Sequence, residues 1–290
     1  MVFYFIGSYS IIYVLNYFLR YIYERLIFLK NIKVIIATHK KYRMPSDKLY
    51  LPLHVGAEGK DDLGFAKDNK GTNISIKNPY FCELTGLYWA WKNLDADYIG
   101  LVHYRRHLTN KKHVGKTPDD KFSSVLTLKE ANELLNDTDI ILPNKRKYYI
   151  ENLYDHYKHT MYIEPLDETR KILEEKYKEY LEEFDKLHKR TSAHMFNMFI
   201  MQKDVLNDYC KWLFNILFEL ESRMKDNKYD TFHSRFYGRV SELLLDVYIN
   251  TNKLNYKEVK FMDMESINWW KKGTSFLKAK FLGKKYDKSF

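Results

Sequence analysis

Hydrophobic positions alternate along the chain between two kinds of pattern. Continuous apolar runs, most of them rich in β-branched residues, occur at residues 32–38 (IKVIIAT), 98–102 (YIGLV), 138–142 (TDIIL) and 196–201 (FNMFIM). Short runs that are apolar throughout fit strands buried on both faces. Helical spacing fills the intervals. Asn78-Pro79 predicts an N-cap with proline at the first helical position, opening a helix with Leu84, Leu87, Tyr88 and Trp91 on one face. Further helices are expected over residues 128–135, 166–189, 203–223 and 239–250. In the 166–189 segment, Leu173, Tyr177, Tyr180, Phe184 and Leu187 step by four, three, four and three, so one stripe packs and the remainder is solvated. The 239–250 segment is apolar nearly all round and is therefore expected to be buried. Strands alternating with helices predict an α/β fold, a mainly parallel central sheet flanked by helices. No internal repeat or long linker interrupts it.

The two ends depart from this pattern. Residues 1–19 carry no charged side chain and would span about 28 Å as a helix, close to the hydrocarbon thickness of a bilayer. Polar residues and tyrosines dilute the stretch, and neither a basic n-region nor a small-residue cleavage site marks a signal peptide. It reads as a membrane anchor or a packed helix. Basic residues follow at Arg20, Arg25, Lys30 and Lys33, which would leave the rest of the chain on the cytoplasmic side. Residues 271–290 contain seven lysines and one aspartate, interleaved with Phe276, Leu277, Phe281, Leu282 and Tyr286, after Trp269 and Trp270. That mixture suits an acidic membrane surface or a solvated basic tail. The expected organisation is a hydrophobic N-terminal helix over residues 1–30, a catalytic domain over 31–265 and a basic aromatic tail over 266–290.

Composition narrows the function. With 48 Lys and Arg against 38 Asp and Glu, the formal charge is +10, which favours anionic partners. At 45% hydrophobic and 30% charged, the composition is that of a folded globular chain, which excludes wholesale disorder. Two cysteines, Cys82 and Cys210, exclude a disulfide scaffold and a four-cysteine zinc site, and read as buried reduced thiols.

Ligands of open α/β sheets bind beyond the carboxyl ends of the strands. The first strand ends in Thr38-His39-Lys40 and the second in His103-Tyr104-Arg105-Arg106-His107, while the fourth is preceded by His194 and contains Asn197. Paired guanidinium forks at Arg105 and Arg106 match phosphate oxygens and would stabilise charge on a departing diphosphate. Asn73, Lys77 and Asn78 precede a helix whose positive end favours an anion, and Glu83 lies in its first turns; helix capping explains some of these equally well. Glu242, on the most apolar helix, is a candidate general base, with His194 as an alternative and Asp246 on the same face. No Asp-x-Asp follows a strand, so no divalent-metal site is expected; Asp95-Ala96-Asp97 precedes its strand. P-loop, dinucleotide-fingerprint, nucleophile-elbow and zincin motifs are absent. The residues alone leave open a sugar-nucleotide transferase, another phosphate-handling transferase, and a non-catalytic protein binding membrane or nucleic acid.

Six runs, VIIATHKKYRMPSD, YLPLHVGAEGK, NISIKNPYFCELTGLYWAWKN, DYIGLVHYRR, HMFNMFIM and SELLLDVY, occur in order across residues 32–262. In these runs the chain resembles bacterial capsular and exopolysaccharide biosynthesis glycosyltransferases catalogued as a domain of unknown function. Members of that family begin close to the first strand, so the thirty-residue extension is a departure. The resemblance implies a GT-A-like nucleotide-diphospho-sugar transferase fold; with the acidic motif missing, no cofactor is expected, and a divalent metal is the less favoured alternative. It further implies transfer of a sugar, with UDP-linked galactose or galactofuranose as the candidate donor, to a lipid-linked glycan acceptor at the cytoplasmic membrane face. No nucleic-acid partner is expected, because the excess charge concentrates in the terminal tail and the arginine pair follows a buried strand. By position, Thr38, His39 and Lys40 would meet the nucleotide, His103-Tyr104-Arg105-Arg106 would replace the metal-binding acidic motif, and Glu242 would be the base of an inverting reaction.

Overall fold

The computed structural model describes residues 30–266; the expected N-terminal helix and basic tail lie outside the described residues. The strands are β1 (Ile32–Thr38), β2 (Tyr50–His54), β3 (Ala66–Lys67), β4 (Tyr98–His103), β5 (Arg106–Thr109), β6 (Ile140–Pro143), β7 (Arg146–Lys147), β8 (Ser192–Ala193), β9 (Phe199–Gln202) and β10 (Lys257–Asp263). The helices are α1 (Asn78–Phe81), α2 (Leu84–Asn93), α3 (Pro118–Ser123), α4 (Leu128–Leu134), α5 (Leu153–Thr160), α6 (Glu164–Lys176), α7 (Leu181–Asp185), α8 (Lys203–Arg223) and α9 (Phe236–Thr251).

Eight strands form one sheet in the order β3-β2-β1-β4-β5-β10-β6-β9. The expected α/β architecture is present, but the sheet is mixed rather than mainly parallel. Four pairings are parallel, linking β1 to β2, β1 to β4, β2 to β3 and β6 to β10, and four are antiparallel. One edge of β4 pairs throughout with β1. The other is shared: Tyr98–Leu101 face β9, and His103 pairs with Arg106 of β5. A strand buried on both faces reads as an apolar run whichever way it points, so the sequence pattern could not reveal the reversal of β9.

Alternate side chains of the central strands feed two cores. Ile35, Ala37, Leu101 and Phe199 join α2, α8 and α9 in one cluster, whereas Val34, Ile36, Val102 and Ile200 join Ala131 of α4 in the other. This is the period-two rule applied to a sheet with helices on both sides. Helix α8 matches its predicted span residue for residue.

Three local expectations are corrected. Asn78 is the first residue of α1 rather than its cap, and its amide donates to the Cys82 carbonyl and Thr85 hydroxyl. The expected single helix breaks there, because Cys82 adopts φ 51°. The charged 166–189 helix divides into α6, α7 and two short turns. After Tyr177 the chain bends so that Tyr180 packs 4.6 Å from Trp212 and 6.1 Å from Tyr248, a contact a straight helix would forgo. Finally, the 196–201 run is a strand only from Phe199, since Phe196 and Asn197 have φ 76° and 53°.

Gly100 permits the close approach of β9 to β4. A Cβ at this position would lie 2.7 Å from the Phe199 carbonyl oxygen and 2.9 Å from Ile200 and Val34 side-chain carbons. Gly100→Ala is therefore expected to destabilise the fold by about 1–3 kcal/mol in urea unfolding, as overpacking against rigid backbone does.

Candidate active site

Beyond the carboxyl end of β4 lies a cavity of about 180 Å³. Its charged lining comprises Arg105, Arg106, Arg146, Arg235, Arg239, Glu83 and Glu242, with His103 and His156 among them. Strand ends supply the first cations. The tight connection from β4 to β5 presents Arg105, and Arg106 opposes Asp263 across the β5–β10 pair, where its Nε donates to the carboxylate at 2.8 Å. The Arg106 guanidinium lies 4.3 Å from the Phe196 ring centre, and that of Arg146, from β7, lies 5.8 Å from the same ring and 5.0 Å from Tyr148. Contacts of this kind with ring faces restrain the guanidinium groups. Arg235 and Arg239 come from the start of α9 and the turn before it. Arg146, Arg235 and Arg239 have no described carboxylate within ion-pair distance.

Glu83 follows the break at Cys82. Its Oε1 accepts a 2.7 Å hydrogen bond from the Asn197 amide, which also donates to the Gly238 carbonyl at 3.1 Å. Phe196 and Asn197 both have positive φ, a conformation rare for phenylalanine and more readily adopted by asparagine, and the Phe196 carbonyl lies 2.5 Å from His103 Nε2. Glu242 projects from the second turn of α9. It is 7% exposed, and its Oε2 is buried without a hydrogen-bond partner. Burial raises its pKa above the ordinary carboxylate value; Glu83 adds to the rise, and Arg239, Arg146 and Arg106 oppose it. His156, bonded through Nδ1 to Glu151 at 2.9 Å, is pushed by burial down to about 4 and is neutral at pH 7. Burial likewise lowers His103.

A second basic group adjoins this one. The Lys40 ammonium and Arg105 guanidinium lie 5.1 and 5.3 Å from the Tyr104 ring, and His39 meets the same ring edge-on at 5.3 Å. Burial lowers the His39 pKa, with Lys40, Arg105, Arg235 and Lys60 acting in the same sense.

Of the residues singled out in the sequence, Glu83, His103, Arg105, Arg106 and Glu242 line one cavity, with His39, Lys40 and Tyr104 adjoining and Asn197 behind Glu83. The others are engaged away from the cavity. Thr38 is buried and bonds the Lys40 backbone, while Asn73 holds the Gly71 carbonyl and the Ser75 amide. Lys77 pairs with Glu221 at 2.5 Å, and Asn78 holds the helix break. His194 is fully buried outside the cavity lining, between Asp246 at Nδ1 and Glu258 at Nε2, where it ties α9 to β10. The reading of both cysteines as buried holds for Cys210; Cys82 is half-buried on the cavity wall, accepting from Arg235 Nε at 2.9 Å. Arg146, Arg235, Arg239, His156 and Tyr157 were missed. Arg239 and Glu242, three apart on one helix face, carried a signal; the others depend on tertiary contacts.

Among the described residues, no group of three or more His, Cys, Asp or Glu is placed to hold a metal ion, and no helix is long and apolar enough to cross a membrane. No curated protein matches the chain. Among solved structures, the apo structure of WbbM, a bifunctional glycosyltransferase, is similar at 31% identity and a TM-score of 0.74. The similarity covers 81% of this chain and 46% of that one, so the chain spans less than half of that protein's length. The family model described as a domain of unknown function (DUF4422) matches residues 33–253, from the first strand to beyond Glu242. Every residue lining the cavity falls within that match, and the chain belongs to the DUF4422 family, a family related to glycosyltransferases.

Proposed function

We propose that this chain is a glycosyltransferase of GT-A-like architecture that moves a sugar from a nucleotide-diphosphate donor to a glycan acceptor, with inversion at the anomeric carbon. One observation carries the reading: a buried carboxylate with a raised pKa, Glu242, shares a cavity with a set of guanidiniums at the end of β4. The similarity to a bifunctional glycosyltransferase supports the reaction class.

In this mechanism Arg105, with Arg235 and Lys40 nearby, receives the donor diphosphate. Arg106, braced by Asp263, presents a fixed positive charge beside it. Their charge opposes the negative charge that builds on the diphosphate as the bond from the anomeric carbon breaks. Glu242 removes the proton from the acceptor hydroxyl, which attacks that carbon from the opposite face. A carboxylate with a raised pKa is a stronger base than an exposed one, and its unpartnered oxygen is available to take the proton. Neutral His103 and His156 leave the field to the guanidiniums. The donor best fitting the resemblance is UDP-linked galactose or galactofuranose. The acceptor would be a lipid-linked glycan at the cytoplasmic membrane face, with the ends of the chain holding the domain there.

The test is sugar transfer by purified protein. Glu242→Gln should lower turnover by about 10²- to 10⁴-fold with little change in donor affinity. The double substitution Arg105→Ala and Arg106→Ala should also abolish most turnover in folded protein; wild-type rates there would remove the leaving-group role. Turnover should persist in a strong chelator, and loss restored by Mn²⁺ would overturn the metal-free scheme.

Burial of Glu242 also predicts a stability signature. Its folded-state pKa is above the ordinary value of 4.5, so the native state binds its proton more tightly than the unfolded chain. Native stability therefore falls as pH rises from about 4.5 through the folded pKa, while below 4.5 both states are protonated and no cost remains. Glu242→Gln should accordingly raise the melting temperature at pH 7–8, with the gain disappearing on acidification towards pH 4.

A further inference from the structure

Two clusters of cations serve the cavity, and a donor diphosphate accounts for only one. Arg105 and Arg235 face the Lys40–Tyr104 side, where all three cations act on His39. Arg146 and Arg239 group with Glu242 and His156 and act on both, and Arg146 packs on Tyr148. Arg106, which shares the Phe196 ring with Arg146 and also acts on Glu242, stands between the two groups, held by Asp263. Neutralising the glutamates does not explain the second pair. Neither guanidinium is within ion-pair distance of Glu83 or Glu242, and one oxygen of Glu83 is taken by Asn197. Glu242 keeps a raised pKa despite them. Both arginines are half-buried on the cavity wall, and guanidiniums there without a carboxylate partner offer charge and paired donors to an anionic ligand.

The same end of the cavity holds two polar atoms without partners. The Tyr157 hydroxyl and Glu242 Oε2 are both buried, in side chains 5% and 7% exposed, and both residues line the cavity beside Arg239. A buried hydroxyl without a partner costs free energy in the empty site and gains it when a ligand oxygen arrives. Two cations, a hydroxyl donor and a carboxylate acceptor make a complementary set for a sugar carrying both hydroxyls and an acid group.

We propose that Arg146, Arg239 and Tyr157 form an acceptor subsite for a sugar bearing a negatively charged substituent, a carboxylate or a phosphate ester, beside the hydroxyl presented to Glu242. The assignment to the acceptor rests on the glycosyl-transfer reading, in which Glu242 takes the acceptor proton: the cations grouped with that base recognise the molecule that approaches it. Arg146 and Arg239 are binding residues in this scheme. Their guanidiniums orient the acid group and thereby present the neighbouring hydroxyl to the carboxylate.

Ligand-observed NMR on the full chain saturated with uridine diphosphate tests this, using methyl β-glucuronide, glucose 6-phosphate and methyl β-glucoside as probes. The subsite predicts that at least one of the two charged sugars binds and that the neutral glucoside binds about tenfold or more weakly, the difference expected for charge-assisted contacts. Arg146→Gln and Arg239→Gln should each erase that preference while leaving the uridine diphosphate titration in place. Arg105→Ala should instead weaken the nucleotide. Equal binding of neutral and charged sugars, or charged sugars that only compete with uridine diphosphate for one site, would overturn the proposal without recourse to any variant. Should the nucleotide fail to bind while a charged sugar still binds through Arg146, the acidic subsite stands and the donor assignment falls. Between the charged probes, the tighter one identifies the substituent.

Discussion

The side-chain amide of Asn197 is the point at which the three segments that build the cavity are tied together. One nitrogen donates to Glu83, at the break between α1 and α2, and to the Gly238 carbonyl at the start of α9. The backbone around it turns through two left-handed residues before entering β9. Those conformations cost of order 1–3 kcal/mol each and persist only where neighbours over-determine them. Here the neighbours are His103, which meets the Phe196 carbonyl, and the Phe196 ring, against which Arg106 and Arg146 both rest. Loss of the amide would free Glu83, the α9 entry and the guanidinium platform together.

That arrangement places like charges close together in a recess. Arginines from β5, β7 and α9 converge on a small volume that also contains two glutamates. Buried polar anchors at a distance from the cavity hold the surrounding scaffold. His194 clamps Asp246 of α9 to Glu258 of β10, and Asp68 accepts from the Gly56 and Ala57 amides and from the Ser75 and Thr85 hydroxyls. Satisfied networks of this kind rigidify the elements that carry the cavity, while the cavity wall keeps buried polar groups without hydrogen-bond partners. Tyr157 and Glu242 are the clearest cases of the latter.

Much of the cavity's charged lining was visible before the fold was known, for a physical reason. Strands of continuous apolar residues must be buried, so charged residues just beyond them must emerge at a sheet edge. That argument located His39, Lys40, His103, Arg105 and Arg106 without any contact information. Glu242 stood out as a carboxylate on an otherwise apolar helix. The same reasoning overreached at Thr38, Asn73, Lys77 and Asn78, whose polar groups are consumed by turns, an ion pair and a helix break. A one-dimensional pattern does not say whether a polar side chain is satisfied locally or by a ligand.

The amino-acid order by itself determined the alternation of strands and helices, the two-faced burial of the sheet and which strand ends carry positive charge. These follow from side-chain period and from the requirement that apolar runs leave water. Only the tertiary structure decided the antiparallel entry of β9, the bend after Tyr177, and the arrival of Arg146, Arg235 and Arg239 beside Glu83 and Glu242. Strand direction and inter-segment approach depend on long-range packing, whose partners lie tens to hundreds of residues away. No local periodicity encodes such meetings.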